Sequence, residues 1–337
     1  MAALLKEIAL QKDYLQTEPV KTIYFGGGTP SLCTLEEIQS VTTMIRSFHQ
    51  VSEDAEITLE ANPDDITKEK LAGWKKAGIN RLSIGIQSFF EEDLQWMNRA
   101  HTAQQASDNL QLARKYFDNI TIDLIYGTPD LTDKKWKQNV EAAISLNIPH
   151  LSCYALTVEP KTPLDKLIKK HKSADINPDK QSEQFLLLIQ WLEEAGYEHY
   201  EISNFALPGW RSRHNSSYWR REKYLGIGPS AHSFNSGERQ WNIANNNMYI
   251  ESISKATIPF EKEELTPIQQ LNEYIMISLR TKEGLQLGNV TEAFRQKLET
   301  SARKYVDAGL IISANNSLVI TREGKLLADG IAAALFF

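Results

Sequence analysis

The sequence predicts an α/β fold on a mainly parallel sheet, curled into a barrel or part of one, followed by a small helical, wing-bearing region. Three observations predict it. Strand-like and helix-like segments alternate as far as residue 205. Three of the strands share one phase, apolar on one side and small or polar on the other. The first strand runs into three consecutive glycines and then a capped helix.

The chain opens with Leu4, Leu5, Ile8 and Leu15 near helical spacing, an amphipathic helix without the layout of a secretion signal. Strands are expected at 21–25, 56–61, 81–86, 119–125, 149–157 and 198–203. Lys21 to Pro30 reads KTIYFGGGTP, a strand and a turn whose glycines let a ligand approach backbone N–H groups. Thr34 and Glu37 form a capping box ahead of a helix with Leu35, Ile38, Val41, Ile45 and Phe48 on its apolar face. Thr67 caps the next helix, with Leu71 and Trp74 inward and Gly78 as its stop. Asn177-Pro178 starts a third, whose stripe is Phe185, Leu188, Ile189 and Leu192, ending at Gly196.

The shared phase carries the functional expectation. Ile57, Leu59 and Ala61 alternate with Thr58, Glu60 and Asn62; Leu82, Ile84 and Ile86 alternate with Ser83, Gly85 and Gln87; Ile120, Ile122 and Leu124 alternate with Thr121 and Asp123. Period-two alternation packs one face on helices. A filled barrel would carry Val, Ile and Leu on the other face. A hollow, polar interior built for a ligand is expected instead.

Beyond residue 205 the alternation stops, and 204–247, rich in Asn, Arg, Gly and Trp, reads as ordered loops. Helix resumes from Leu265 to about Ala308. Leu310 to Ile320 then reads as strand, Asn-Asn turn and strand, and a last helix follows from Lys325 to about Ala334. Helices followed by a hairpin resemble a winged helix. Glu292, Glu299 and Asp307 among the bases of 291–308 favour a packing module over a DNA reader. The expected division is a barrel at 1–205, connecting loops at 206–262 and a C-terminal domain at 263–337.

A net charge of −6 argues against a nucleic-acid surface. No apolar run approaches the ~20 residues of a membrane span. Cys33 and Cys153, the two cysteines, suit a reducing cytoplasm and exclude a disulfide framework.

GGGTP at 26–30, LEANP at 59–63, GIQSF at 85–89, Asn98-Arg99-Ala100-His101 and Asp123 in IDLIYGTP together resemble the radical S-adenosylmethionine (SAM) enzymes, in the coproporphyrinogen III oxidase-like branch. The resemblance implies a partial (β/α)6 TIM-like barrel with SAM at its open end. It implies that Gly27, Gly28 and Thr29 hold the methionyl amino group and that Glu60 meets a positive or hydroxyl-bearing part of SAM. Gln87 would add polar contacts, Arg99 would clamp the carboxylate, and Asp123 would accept from ribose hydroxyls.

His214-Asn215-Ser216-Ser217-Tyr218-Trp219, HNxxYW, resembles the heme-binding signature of the heme chaperones in this family. A neutral imidazole suits heme iron, so His214 is the expected axial ligand, with Asn215, Tyr218 and Trp219 beside the porphyrin. Arg211, Arg213, Arg220 and Arg221 are candidate propionate partners, and His232 a candidate tetrapyrrole contact. The nucleoside and the porphyrin are expected side by side in one chamber. The implied partners are heme or another tetrapyrrole and the proteins that accept it. The alternative is oxidative decarboxylation of coproporphyrinogen III propionates by a 5′-deoxyadenosyl radical.

The family's CxxxCxxC, whose thiolates hold a [4Fe–4S] cluster, does not occur in this sequence, and its first barrel strand has no counterpart. Cys33 and Cys153 are too few and wrongly placed to substitute. The chain as written is expected not to assemble the cluster, and strand 21–25 is expected to have an open edge.

Overall fold

Seven strands form one curled sheet, a half-barrel, in the computed structural model, which describes residues 1–170 and 173–337. The order along the chain is α1 (Ala2–Leu10), β1 (Val20–Phe25), α2 (Leu35–Phe48), β2 (Val51–Ala61), α3 (Lys68–Lys76) and β3 (Arg81–Gln87). Next come α4 (Glu91–Trp96), α5 (Ala103–Ala113), β4 (Ile120–Tyr126), α6 (Asp133–Ser145), β5 (His150–Ala155), α7 (Pro163–Lys169) and α8 (Pro178–Glu194). The hairpin β6 (Glu198–Glu201) and β7 (Asn204–Ala206) completes the sheet.

Strands β1 to β5 are parallel neighbours in sequence order, and β7 then pairs antiparallel with both β5 and β6. The strand expected at 198–203 is therefore a hairpin. Its turn forms because the Glu201 carboxylate accepts from the N–H of Ser203, 3.0 Å away, and from the Asn204 amide. β1 ends the sheet, and among the described residues no strand pairs with its outer edge.

Three helices start where the sequence places their caps, the hydroxyls of Thr34 and Thr67 and the Asn177 amide each accepting a first-turn N–H, and Thr132 caps α6 in the same way. Their inward stripes bury Trp74, Trp136 and Leu188 against Ile57, Leu59, Leu82, Ile84, Ile122 and Leu124, the apolar phase of the strands. That leaves the other phase facing the concave side of the sheet.

The stretch 206–262 is not a run of loops. It contains α9 (Arg213–Trp219), β8 (His232–Phe234), β9 (Glu238–Asn242), α10 (Asn246–Ser254) and β10 (Phe260–Glu264), the strands forming a second, antiparallel sheet. These strands are three to five residues long and joined by charged pairs such as Lys262–Glu238 at 3.0 Å, so they carry no apolar alternation. α1 ties this sheet down. The buried Glu7 carboxylate accepts from Gly228 N–H (2.8 Å), the Asn242 amide (2.6 Å) and the Tyr249 hydroxyl (2.5 Å).

The remaining elements are α11 (Pro267–Ser278), β11 (Leu285–Gln286), α12 (Glu292–Asp307), β12 (Ile311–Ala314), β13 (Ser317–Ile320) and α13 (Ala328–Ala334). They enclose a separate core of Ile275, Leu279, Leu298, Leu318 and Ile331. Asn315 and Asn316 turn the β12–β13 wing with φ of 51° and 61°, left-handed values that Asn tolerates.

Candidate functional site

The concave face is built in layers by strand register. Tyr24 of β1 lies opposite Thr58 of β2, Thr58 opposite Arg81 of β3, Ser83 opposite Thr121 of β4, and Asp123 opposite Ser152 of β5. With Glu60, Tyr154, Ser212 and Asn215 these side chains line a polar cavity of about 100 Å³. Ligand pockets run to about 300–1,000 Å³, so this space suits a few waters rather than a nucleoside. The Arg81 side chain and, through Ser212 and Asn215, the start of α9 form part of its wall. Thr58 Oγ1 has no hydrogen-bond partner among the described residues and lines this cavity.

Electrostatics concentrate on two carboxylates in the cavity. Glu60 accepts from the Tyr24 hydroxyl at 2.7 Å. Burial, and then the Glu60 charge, push Asp123 up to about 7. Deeper, the buried Arg81 guanidinium bonds Asn119 at 2.5 Å and also Thr121. Thr121 Oγ1 is 3.1 Å from His150 Nδ1, and His150 Nε2 is 2.7 Å from the Tyr200 hydroxyl. Burial first, then the Arg81 charge, hold His150 well below the usual imidazole range, so the floor of the site is a satisfied polar network.

Above the cavity, at the C-terminal ends of the strands, the surface is open. Gly27 and Gly28 have φ of 72° and 122°, and a Cβ on either would meet nothing within 4 Å. At the end of β3, Gly85 lies under two polar groups, so that a Cβ there would meet Gln87 Nε2 at 3.0 Å and Arg99 Nη2 at 3.4 Å. Gln87 holds a φ of 70°, a costly conformation for a residue with a Cβ. Arg99 reaches Asn62 Oδ1 at 3.4 Å, while its buried Nε has no partner among the described residues.

The HNxxYW segment is α9, and it lies against β1 toward the other end of the strands. Ser212 caps it, and the Glu56 carboxylate of β2 accepts the N–H groups of Arg213 (3.1 Å) and His214 (2.9 Å). The His214 ring stacks on Tyr24, with centroids 4.7 Å apart and planes at 17°. Its Nδ1 is 2.9 Å from Thr22 Oγ1, and its Nε2 is 3.1 Å from the Tyr218 hydroxyl. Burial holds the imidazole down at about 4, so it is neutral at pH 7.

Glu60 and Asp123 share one cavity with Asn215, and Gln87 meets Arg99 over Gly85, as their common phase predicts. His214 and Tyr218 share a face of α9, but Trp219 turns away and stacks under Arg280, 5.7 Å from its ring. The Glu56 carboxylate of β2 holds His214, while Arg99 contacts Asn62, just past the end of that strand. Each of the four arginines flanking the motif has a carboxylate partner. Arg211 pairs with Glu198 and Glu283, Arg213 with Asp54, Arg220 with Glu222 and Arg221 with Glu273. His232 is exposed on β8. Sequence reasoning missed Thr22, Tyr24 and Arg81, although the same period-two phase, extended to the first strand and one step back along the third, contains all three.

The radical SAM superfamily model matches residues 3–143, and the HemN C-terminal domain model matches 265–327. The heme chaperone HemW of Bacillus subtilis is 34% identical over 94% of this chain and 85% of its own length. The chain belongs to the HemW family of radical SAM proteins. A Mycobacterium tuberculosis HemW is 33% identical over 99% of this chain and 85% of that protein. The structure of Escherichia coli coproporphyrinogen III oxidase, HemN, superposes with a TM-score of 0.83 over 99% of this chain and 82% of that one, at 22% identity. That likeness carries the fold, a radical SAM half-barrel with an appended C-terminal domain. No helix among the described residues is long and apolar enough to cross a membrane.

Proposed function

We propose that this chain is a heme carrier that holds heme as cargo at α9, through His214 Nε2, and passes it to acceptor proteins. The observation that carries the reading is the His214 ring. It is neutral, stacked, anchored through Nδ1, and directs Nε2 toward Tyr218, which is 39% exposed. A neutral imidazole fixed in that way is a good axial ligand for heme iron. The HemW relatives, named as heme chaperones, support the same reading. Asn215 is the neighbouring group of the motif available to the porphyrin; Trp219, packed on Arg280, contributes to the seat of α9 instead.

The open ends of the strands fit SAM. Gly27 and Gly28 leave bare backbone, Thr29 follows them, and Arg99 carries an orphaned buried Nε beside Gln87. Glu60 and Asp123 lie below as acceptors for hydroxyl or cationic groups. These residues would bind and orient SAM, with Arg99 opposite its carboxylate. The residues present do not fit a [4Fe–4S] cluster: the two thiols are Cys33, half-buried, and Cys153, buried in the sheet where burial pushes its thiol well above the ordinary range.

Titration of ferric heme into the protein and into His214→Ala tests the carrier reading. A Soret band that is lost or displaced in the variant is expected. Identical spectra and affinities would remove His214 as the ligand.

A further inference from the structure

We propose that Thr22 is the positioning residue of His214 and that the Tyr218 hydroxyl is a displaceable cap on Nε2, an inference that rests on His214 as the iron ligand. Each ring nitrogen has one side-chain partner, Thr22 Oγ1 at 2.9 Å on Nδ1 and Tyr218 Oη at 3.1 Å on Nε2. The two hydroxyls are chemically unequal. A phenol is the stronger hydrogen-bond acid, so Tyr218 donates to the Nε2 lone pair, and Nδ1–H donates to Thr22. This tautomer leaves Nε2 as the ligating nitrogen. It also gives the imidazole the fixed acceptor on its other nitrogen that metal-bound histidines use to set orientation and basicity.

The partners are also unequal in mobility. Thr22 belongs to a strand in register with Glu56, the residue that accepts the His214 N–H. Tyr218 is the penultimate residue of a seven-residue helix and is 39% exposed. Tyr24, stacked at 17°, keeps the ring from turning after its cap. When iron takes the Nε2 lone pair, the O–H···N bond breaks and the hydroxyl turns to water. No proton or electron leaves the protein. Tyr218 is therefore a competitor of heme at His214 rather than a flat contact for it.

Nitrogen-15 NMR of the heme-free chain reads the tautomer directly: a protonated Nδ1 and a bare Nε2 are expected, and the reverse tautomer overturns the proposal. In ferric heme titrations, Tyr218→Phe should bind about five-fold tighter, the loss of one competing neutral hydrogen bond. Thr22→Val should bind several-fold weaker with an altered ferric spectrum, and Thr22→Ser should restore both. Parent-like behaviour of Tyr218→Phe and Thr22→Val, beside a His214→Ala variant whose spectrum changes, overturns this proposal alone. A His214→Ala spectrum identical to the parent's overturns the ligand reading beneath it.

Discussion

Asp123→Asn tests the electrostatics of the barrel interior with little change of shape. Burial and the neighbouring Glu60 raise Asp123 from 3.8 to about 7. A carboxyl with a raised folded-state pKa costs nothing below its unfolded value, where both states are protonated. As pH rises, the unfolded chain ionises first, the folded one lags, and stability is lost until the folded pKa is passed. Integrating that lag between pH 5 and 7.5 gives a loss of about 2.5 kcal/mol attributable to this one group. Asparagine does not titrate, so the variant should lack this loss, and the two stability curves should diverge by that amount across the window. Urea unfolding of both proteins at matched pH measures it, and the subtraction removes groups they share, His199 and His214 among them. Curves that stay parallel within about 0.5 kcal/mol would refute the reasoning. Asp123 would then be ionised in the folded protein at pH 5.

Three further outcomes are expected. Glu7→Ala strands three buried donors, from Gly228, Asn242 and Tyr249, and should cost about 3–5 kcal/mol in urea unfolding; a cost below about 1 kcal/mol would mean water reaches them. Gly85→Ala puts a methyl against the flexible ends of Gln87 and Arg99, so stability should change by less than about 1 kcal/mol. Its affinity for SAM, read by equilibrium dialysis, should fall about ten-fold; unchanged affinity would remove both side chains from the binding surface. His199 is held at about 3, first by burial and then by the Lys325 charge, so its stabilisation is full above pH 6.5 and lost as pH falls toward 3. His199→Gln should flatten that acid limb in urea unfolding, and a limb as steep as the parent's would acquit His199.

The parts of the fold that were legible in the sequence obey a period. Ile57, Leu59, Leu82, Ile84, Ile122 and Leu124 alternate because one face of each strand meets helices, and that alternation also fixed the side of Glu60, Asp123 and Gln87. Thr34, Thr67 and Asn177 announced their helices because a cap is a local contact within three residues. The second sheet was illegible for the converse reason. Phe260 to Glu264 reads FEKEE, exposed or half-buried throughout, and pairs with β9 through backbone and charge rather than an apolar face. Long-range commitments were equally hidden. Nothing near Arg211 or Arg213 in sequence shows that Glu198, Glu283 and Asp54 have taken them, and nothing near His214 names Thr22, 192 residues away.

One residue belongs both to the polar cavity and to the seat of His214. Tyr24 stacks its ring on His214 and donates its hydroxyl to Glu60. Burial and the Glu60 charge raise the phenol pKa far above the ordinary value, so it stays a donor at any physiological pH. A ring held at its far end by a carboxylate has little freedom to slide from the imidazole beneath it. A charge-assisted hydrogen bond is worth about 1.5–3 kcal/mol, which bounds how strongly a ligand that recruits Glu60 could alter the seat of His214. Under the proposed function, a ligand on Glu60 would change heme affinity at His214 about ten- to one-hundred-fold at most. A large-scale switch would have to work through another element.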